Sequence, residues 1–454
     1  MDVPRRIAVL GMGVSGIAVA EAARALDLEP IAFDERPNDS PSAIRATDRL
    51  TAFGIEAVTG WHGKIDPVDF DVLVLSPGFP DDHPAVAAML AAGKPVWGEI
   101  EFGYRIAKAP IIAITGTNGK STTTVLAWML AEAAGRKARL CGNIAGSGYP
   151  ESALSTAALS AGPEEVLVAE ISSFQLAFAP TFRALAATVT NVSPDHFDRH
   201  PGFEHYYEAK LRLFANSNHD DLAVVNVDEE RPRIEDVRLR HAGRVCSVSP
   251  SGARSSDGAT AYQGGRMVLS GLELDPMQTI ALETPHNVAN AMVAWELVSV
   301  LGNPGQAGIN ALQGFRGLAH RMERLGELKG VLFVNNSMCT NPAAFVSSSR
   351  GLSRPQHILL GGAPKGLDFA PVAQYLAEIS HKVYLFGPDP EHWRAVLGPV
   401  PAFDSLADAF GAALGVAKAG EAVFLCPGGA SAEPYANFRE RGEHFRELVA
   451  EVVR

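Results

Sequence analysis

Along the chain, short unbroken apolar blocks alternate with alanine-rich stretches whose apolar residues recur at helical spacing. IAVLG, EPIAFD and DVLVLSPG are blocks of the first kind, and SGIAVAEAARAL and HPAVAAMLAAG are stretches of the second. Such alternation predicts parallel sheets covered by helices on both faces. The rhythm restarts at APIIAITG and continues through EVLVAEISS, AATVTNVSP and LAVVNVD. It restarts again at GVLFVNNS, followed by QHILLGGAP, KVYLFG and AVFLCPGG. Three starts predict three α/β domains, with boundaries near Gly98 and Gly317, so that they cover residues 1–98, 99–317 and 318–454. Between 250 and 285 the pattern gives way to the Gly/Ser-rich SPSGARSSDGATAYQGG, which reads as the turns of a small β insertion.

Length agrees with several domains, since 454 residues exceed what one core of roughly 100–200 residues accommodates. The net charge of −12 argues against a nucleic-acid or anionic-membrane partner, both of which need positive charge. Any phosphate must therefore be held locally, by backbone N–H groups, a few cations or Mg²⁺. Cys141, Cys246, Cys339 and Cys426 are far apart and form no C-x-x-C, which argues against a disulfide framework or zinc site and fits a reducing compartment. MDVPRRIAVLG lacks a signal core, and no apolar run reaches the ~18 residues of a membrane span. The expectation is a cytoplasmic protein.

Two glycine turns carry candidate chemistry. LGMGVSG places Gly11, Gly13 and Gly16 between a strand and a helix in the G-x-G-x-x-G pattern. Asp34 follows at the end of the next strand, where a ribose-binding acid would lie. On these residues alone NAD is the default ligand, but a helix N-terminus facing an anion suits any diphosphate. Ser76, Pro77 and Gly78 end a neighbouring strand, and their loop is placed to close over the same ligand. The second turn, TGTNGKST, departs from the usual phosphate-loop spacing, with only two residues between Gly116 and Gly119. Its chemistry is nonetheless that of a phosphate cradle. Backbone N–H groups surround phosphate, Lys120 neutralises β/γ oxygens, and Ser121 or Thr122 ligates Mg²⁺.

Downstream, VLVAEISSFQL puts Glu170 at the C-terminal end of a strand, the edge where open parallel sheets bind ligands. A carboxylate there suits the nucleotide's metal, while Ser172 or Ser173 suits a helix cap. TVTNVSPDHFDRH ends another strand with Asn191, Asp195 and His196, and YYEAKLRLF carries Lys210 on an amphipathic helix, where a lysine taken alone reads as a solvated face.

In order along the chain, AITGTNGKST, AEISSFQL, NVSPDHFDRH, YYEAKLRLF, PHNVANAMVA and GLAHRME resemble the Mur ligases, the ATP-dependent amide-forming enzymes of peptidoglycan synthesis. SSFQL, DHFDRHPGFEHYYEAKLRLF, GGAPKGLDF and PGGASAEPYANFRERGEHF look most like the branch that adds D-glutamate to UDP-N-acetylmuramoyl-L-alanine. The resemblance implies a Rossmann-like N-terminal domain for the UDP-sugar, a central P-loop ATPase-type domain with a mostly parallel sheet, and a C-terminal Rossmann-like domain for the amino acid. It also implies a monomer, with ATP and Mg²⁺ as cofactors. Val14 and Ser15 would then face the diphosphate, and Asp34, Glu35 and Arg36 the uracil and ribose. Ser76, Gly78, Asn143, Ser172 and Gln175 would complete the UDP-substrate site.

The same resemblance assigns ATP to Gly116, Thr117, Asn118, Gly119, Lys120, Ser121 and Thr122, with Asn287 and Asn290 at the adenine and Arg321 reaching the phosphates on domain closure. Ser121 and Glu170 would hold a first Mg²⁺ and His196 a second, supported by Lys210 as a carbamate. Lys120, Asn143, His196 and Lys210 are the implied catalytic set, Asn143 orienting the acyl group. Thr340, Lys365, Ser431 and Phe438 match positions that hold the acceptor amino acid.

The chain departs from the family where an Asp-Ser-Lys stretch is expected, since Asn336 and Met338 stand in place of the acid and the lysine. Another acceptor such as L-glutamate is the alternative within the same chemistry. A nicotinamide-dependent oxidoreductase is the rival from another class, and it leaves the second turn, Glu170 and His196 unexplained.

Overall fold

The structure is a computed structural model that describes residues 4–453 apart from 198, 279–281, 283, 365, 380 and 388. The chain divides into two compact units. One comprises Met1–Ala145, Tyr149–Val192 and Arg199–Phe315; the other comprises Gly146–Gly148, Ser193–Asp198 and Arg316–Arg454.

The first unit contains two parallel sheets. The N-terminal one has five strands in the order Glu56–Val58, Glu29–Phe33, Arg6–Leu10, Val72–Leu75, Val96–Gly98. Arg6–Leu10, from Ile7 onward, and Val72–Leu75 are buried on both faces, which explains their unbroken apolar sequence. Apolar clusters cover each side, one around Ile7, Val9, Val19 and Trp97, the other around Ala8, Leu10, Leu73 and Met89. Strand order reverses between Arg6–Leu10 and Val72–Leu75, so the Gly11 turn and the Ser76–Gly78 loop emerge side by side at the switch point.

The second sheet has seven strands, ordered Arg244–Val248, Leu222–Asn226, Ala186–Val189, Ile111–Thr115, Val166–Glu170, Ala138–Gly142, Glu151–Ser152. Every pairing is parallel. Ile111–Thr115, which feeds the second glycine turn, lies between the strand ending in Glu170 and the strand leading to Asn191. The helix after the turn, Lys120–Ala133, packs against Pro285–Val298. The Gly/Ser-rich stretch folds as expected into a three-stranded antiparallel sheet of Thr260–Gln263, Arg266–Leu269 and Leu272–Leu274.

The second unit is built on six strands ordered Glu323–Leu328, Val331–Asn335, Ala422–Gly428, Gln356–Gly361, His381–Phe386, Ala402–Phe403. The first pair is antiparallel and the rest are parallel. Apolar clusters lie on both faces. Among the described residues no helix is long and apolar enough to cross a membrane.

Candidate active site

At the first turn, the helix Val14–Ala25 starts so close to the strand end that a Cβ on Gly16 would lie 1.7 Å from Gly11 O. Only glycine fits that approach. Val14 is exposed and Ser15 half-buried at the helix N-terminus, where unpaired backbone N–H groups of a helix favour an anion.

Asp34 is engaged differently from the ribose-facing acid that the sequence suggests. It is buried, and its carboxylate accepts Met12 N–H at 2.6 Å, Arg36 N–H at 2.9 Å and the Arg36 guanidinium at 2.7 and 2.9 Å. Arg36 also donates to Met12 O at 3.0 Å. Burial alone would raise the Asp34 pKa. Hydrogen bonds from Arg36 and Met12 outweigh it and hold the carboxyl below the usual carboxylate range. Asp34 thus locks the turn.

Glu35 is the more exposed acid, with its Oε1 3.0 Å from His83 Nε2. Since His83 Nδ1 accepts Ala85 N–H at 3.1 Å, a neutral His83 carries its proton on Nε2 and donates it to Glu35.

At the second turn, Gly116 has φ +145°, and a Cβ there would lie 2.0 Å from Thr190 Oγ1. The turn is clamped by the neighbouring strand end. Asn191 accepts Asn118 N–H at 3.0 Å and donates to Asn118 O at 3.1 Å, and its carbonyl accepts Thr117 N–H at 2.9 Å. Thr117 Oγ1 lies 3.1 Å from Tyr206 Oη, and Lys120 Nζ donates to Thr117 O at 2.8 Å. Thr122 is buried in the first turn of the following helix.

Ser121 and Glu170, the pair expected at a first Mg²⁺, come together beside this turn. Ser121 Oγ donates to Glu170 Oε2 at 2.6 Å, and Asn143 Nδ2 donates to Glu170 Oε1 at 3.0 Å. Ser121 and Glu170 are buried and Asn143 is exposed. Two oxygen donors next to a phosphate cradle fit Mg²⁺, which binds through one or two protein oxygens together with substrate phosphates. Among the described residues no group of three or more His, Cys, Asp or Glu could hold a metal by itself.

Lys210 is buried rather than on a solvated face. Its Nζ donates to Gly116 O at 2.8 Å and lies 4.4 Å from the Tyr206 ring centroid. Asn290 accepts from Thr123 Oγ1 and donates to Asn287 Oδ1, both at 3.1 Å, which places both adenine candidates against the helix that begins at Lys120. Ser172 and Gln175, expected at the substrate, form a capping box for Ser173–Leu176. Gln175 is buried and also lines a small cleft with Ser76, Pro77 and Phe79.

In the second unit, His196 has φ +56°, and its own N–H is held by the Asp195 carboxylate at 2.9 Å. Asn341 caps the helix Pro342–Arg350 and donates to Asp195 at 3.2 Å, next to the half-buried Thr340. Arg321 Nη2 lies 3.4 Å from Met338 Sδ. Asn336 is buried, accepting Met322 N–H at 3.1 Å and donating to Cys426 Sγ at 3.6 Å. Ser431 Oγ is buried without a hydrogen-bond partner among the described residues. Phe438 opens the helix Phe438–Val453 and meets the His320 ring edge-on at 6.2 Å. Lys365 lies outside the described residues.

Sequence reasoning missed Arg441. It is 1% exposed and donates to Ser337 Oγ at 3.0 Å, Ser337 O at 2.8 Å and Gly429 O at 3.4 Å; burial pushes its pKa down to about 10. It braces the loop leading to Ser431. A lone arginine on an amphipathic helix gives no signal of this. Asn191 was visible as a strand end but not as the clamp of the glycine turn.

Family models match three successive parts of the chain. They are the Mur ligase MurD-like N-terminal domain at residues 5–98, the Mur ligase middle domain at 114–298, and the Mur ligase glutamate ligase domain at 320–429. UDP-N-acetylmuramoylalanine–D-glutamate ligase of Caldanaerobacter subterraneus subsp. tengcongensis is 33% identical over 457 residues, covering 99% of each chain. The protein of the same name from Nitrosococcus oceani is 34% identical, covering 98% of this chain and 96% of the other. Among solved structures, the MurF ligase of Thermotoga maritima in complex with ADP superposes with a TM-score of 0.62 at 15% identity, covering 93% of this chain and 95% of that one. UDP-N-acetylmuramate-alanine ligase MurC, also from Thermotoga maritima, gives 0.60 at 16% identity, covering 98% and 99%. At these identities the structural likeness concerns the fold. With its length matched almost end to end and all three of its parts recognised, the chain belongs to the Mur ligase family.

Proposed function

We propose that this protein is an ATP-dependent ligase that joins D-glutamate to the alanine carboxyl of UDP-N-acetylmuramoyl-L-alanine, in cytoplasmic peptidoglycan precursor synthesis. In this reading residues 1–98 hold the UDP-sugar, 99–317 hold ATP, and 318–454 bring the amino acid. The observation that carries it is the pair of separate phosphate cradles in one compact unit. One is at the Gly11 turn and lacks a free ribose-type acid at Asp34; the other is at the Gly116 turn, with Ser121, Glu170 and Asn143 joined beside it. Two cradles suit a nucleotide-linked substrate and a separate nucleoside triphosphate. The relatives' printed name supplies the substrate pair.

The substrate carboxylate attacks the γ-phosphate of ATP, forming an acyl phosphate and ADP. The glutamate amine then attacks the acyl carbon, and phosphate leaves as the amide forms. The obstacle is charge, since a carboxylate must approach a polyanion at close range. Lys120 and the turn's backbone N–H groups offset that repulsion and hold the β/γ phosphates. Ser121 and Glu170 would hold Mg²⁺, which supplies charge neutralisation when bound. Asn143 orients the acyl oxygen. His196 and a carbamylated Lys210 are assigned to a second Mg²⁺ on the family resemblance; Lys210 is buried beside the glycine turn, with Nζ 2.8 Å from Gly116 O. Asn287, Asn290 and Arg321 are assigned to ATP. Thr340, Lys365, Ser431 and Phe438 are assigned to the acceptor, Ser431 on its orphaned hydroxyl.

The deciding assay offers purified protein ATP, Mg²⁺ and UDP-N-acetylmuramoyl-L-alanine, with D- or L-glutamate in parallel, and follows product mass and phosphate. Amide product with D-glutamate and little with L-glutamate is expected. Phosphate release without amide, or binding of a nicotinamide dinucleotide at the first turn, would overturn the reading.

A further inference from the structure

The loop carrying Arg199 belongs to the chain segment after the central strands, yet its guanidinium is bonded to the N-terminal sheet's Ser76–Phe79 turn. Nη2 donates to Phe79 O at 2.8 Å and Nη1 to Pro77 O at 3.4 Å, with an Asp81 carboxylate oxygen 3.8 Å away. The guanidinium carbon lies 4.8 Å from the Phe174 ring centroid, and Phe174 is itself stacked on His200 at 5.3 Å with planes 9° apart. The cation is three-quarters buried at this seam. An arginine fork so held is already ordered, so its bonds fix the turn at little further entropy cost.

The turn in question borders the first cradle. Phe79 N–H closes it onto Ser76 O at 3.1 Å, and Ser76 Oγ donates to Gly11 O at 3.2 Å. A Cβ on Gly11 would lie 2.8 Å from both Ser76 Cβ and Phe79 Cε2, so the two turns are in direct contact. Gly78, at the tip, is exposed with open space around it. Contacts therefore run without a break from Phe174 through Arg199 and the Ser76–Phe79 turn to Gly11.

We infer that Arg199 is a positioning residue for the nucleotide-linked substrate. It satisfies two carbonyls of the Ser76–Phe79 turn from behind and so sets that turn against the Gly11 cradle. The inference rests on the reading of that cradle as the UDP-sugar site.

It predicts a split that a merely structural arginine would not give. Arg199→Ala should raise the KM for UDP-N-acetylmuramoyl-L-alanine about tenfold while kcat and the KM for ATP stay within about twofold. Arg199→Lys, which keeps the charge but loses the fork, should fall between the two. Calorimetry gives the same split without turnover, the Kd for UDP rising and that for ADP holding. Should the alanine variant fold poorly, the lysine variant is read in its place. Parallel rises in both KM values, or none, would overturn the positioning role. Wild-type protein that binds ADP but neither UDP nor the UDP-sugar would instead overturn the reading of the cradle.

Discussion

Ser121 Oγ donates a hydrogen bond to Glu170 Oε2 across 2.6 Å, although 49 residues separate the two in sequence. The register of Ile111–Thr115 beside Val166–Glu170 makes the pair, because it brings the glycine turn and the carboxylate out at the same sheet edge. Glu170→Gln keeps the volume but removes the charge that would hold Mg²⁺. It should lower kcat by ~10²-fold or more, with the fold retained. Ser121→Ala should raise the Mg²⁺ concentration needed for half-maximal rate. A steady-state rate measured against Mg²⁺ checks both, and an unchanged Mg²⁺ profile in both variants would remove the pair from the metal site.

Asn191 is the test of the clamp on the glycine turn. Its side chain satisfies both the N–H and the carbonyl of Asn118. Asn191→Ala leaves those groups to water and loosens the cradle before ATP arrives. The KM for ATP should rise about tenfold, the equivalent of one or two lost hydrogen bonds, with the KM for glutamate unmoved.

Gly116→Ala should cost stability as well as activity. Its φ of +145° is strained for any side chain, and the new methyl would meet Thr190 Oγ1 at 2.0 Å. A loss of ~2–4 kcal/mol in denaturant unfolding is expected. Loss of activity with unchanged stability would mean that the turn has room the structure does not show.

The strand–helix rhythm was legible because strands buried on both faces must be apolar throughout, and that rule marked the three parallel or mostly parallel sheets, while Gly/Ser-rich turns marked the β insertion. The two turns were legible because glycine, lysine and hydroxyls at a strand end have few other uses. Partnership was less legible. Asp34 has the right position for a ribose acid, but only the fold reveals that Arg36 and Met12 occupy its oxygens. Ser172 was legible as a helix cap, but the sequence did not pair it with Gln175 in the capping box that the fold forms. Lys210 on an amphipathic helix read as solvated until the neighbouring turn placed Gly116 O against it. Side-chain pairing across strands depends on register, and one sequence does not display register.

His320 gives the pH dependence a sign. It is 3% exposed; burial, helped by Arg446 and Arg439, lowers its pKa against the upward pull of Glu323 and Glu443. Nδ1 accepts from Asn335 Nδ2 at 3.0 Å, so the neutral ring carries its proton on Nε2, which faces Glu443 at 3.2 Å. The unfolded chain binds the second proton more strongly, near the ordinary value of about 6.5. The contribution is therefore complete above that value and is lost as pH falls through it toward the lowered folded pKa. His320→Gln should flatten the stability profile on the acid side of about pH 6.5, read by thermal unfolding across pH. A variant whose stability falls as steeply with acid as the wild type would refute the assignment.

Met338 and Asn336 stand where the family resemblance leads one to expect a lysine and an acid, and both have neighbours in the stretch Arg321–Met322. Met338 Sδ lies 3.4 Å from Arg321 Nη2, and Asn336 accepts the N–H of the next residue, Met322. Met338→Lys alone would set an ammonium against a guanidinium and should lower stability by ~1–2 kcal/mol and raise the KM for ATP. Asn336→Asp alone would put a carboxylate in a buried site and lose the donor to Cys426. Introduced together, the two charges should compensate in part, giving a coupling of ~1 kcal/mol or more in a double-mutant cycle. Strict additivity would show that the two replacements are independent.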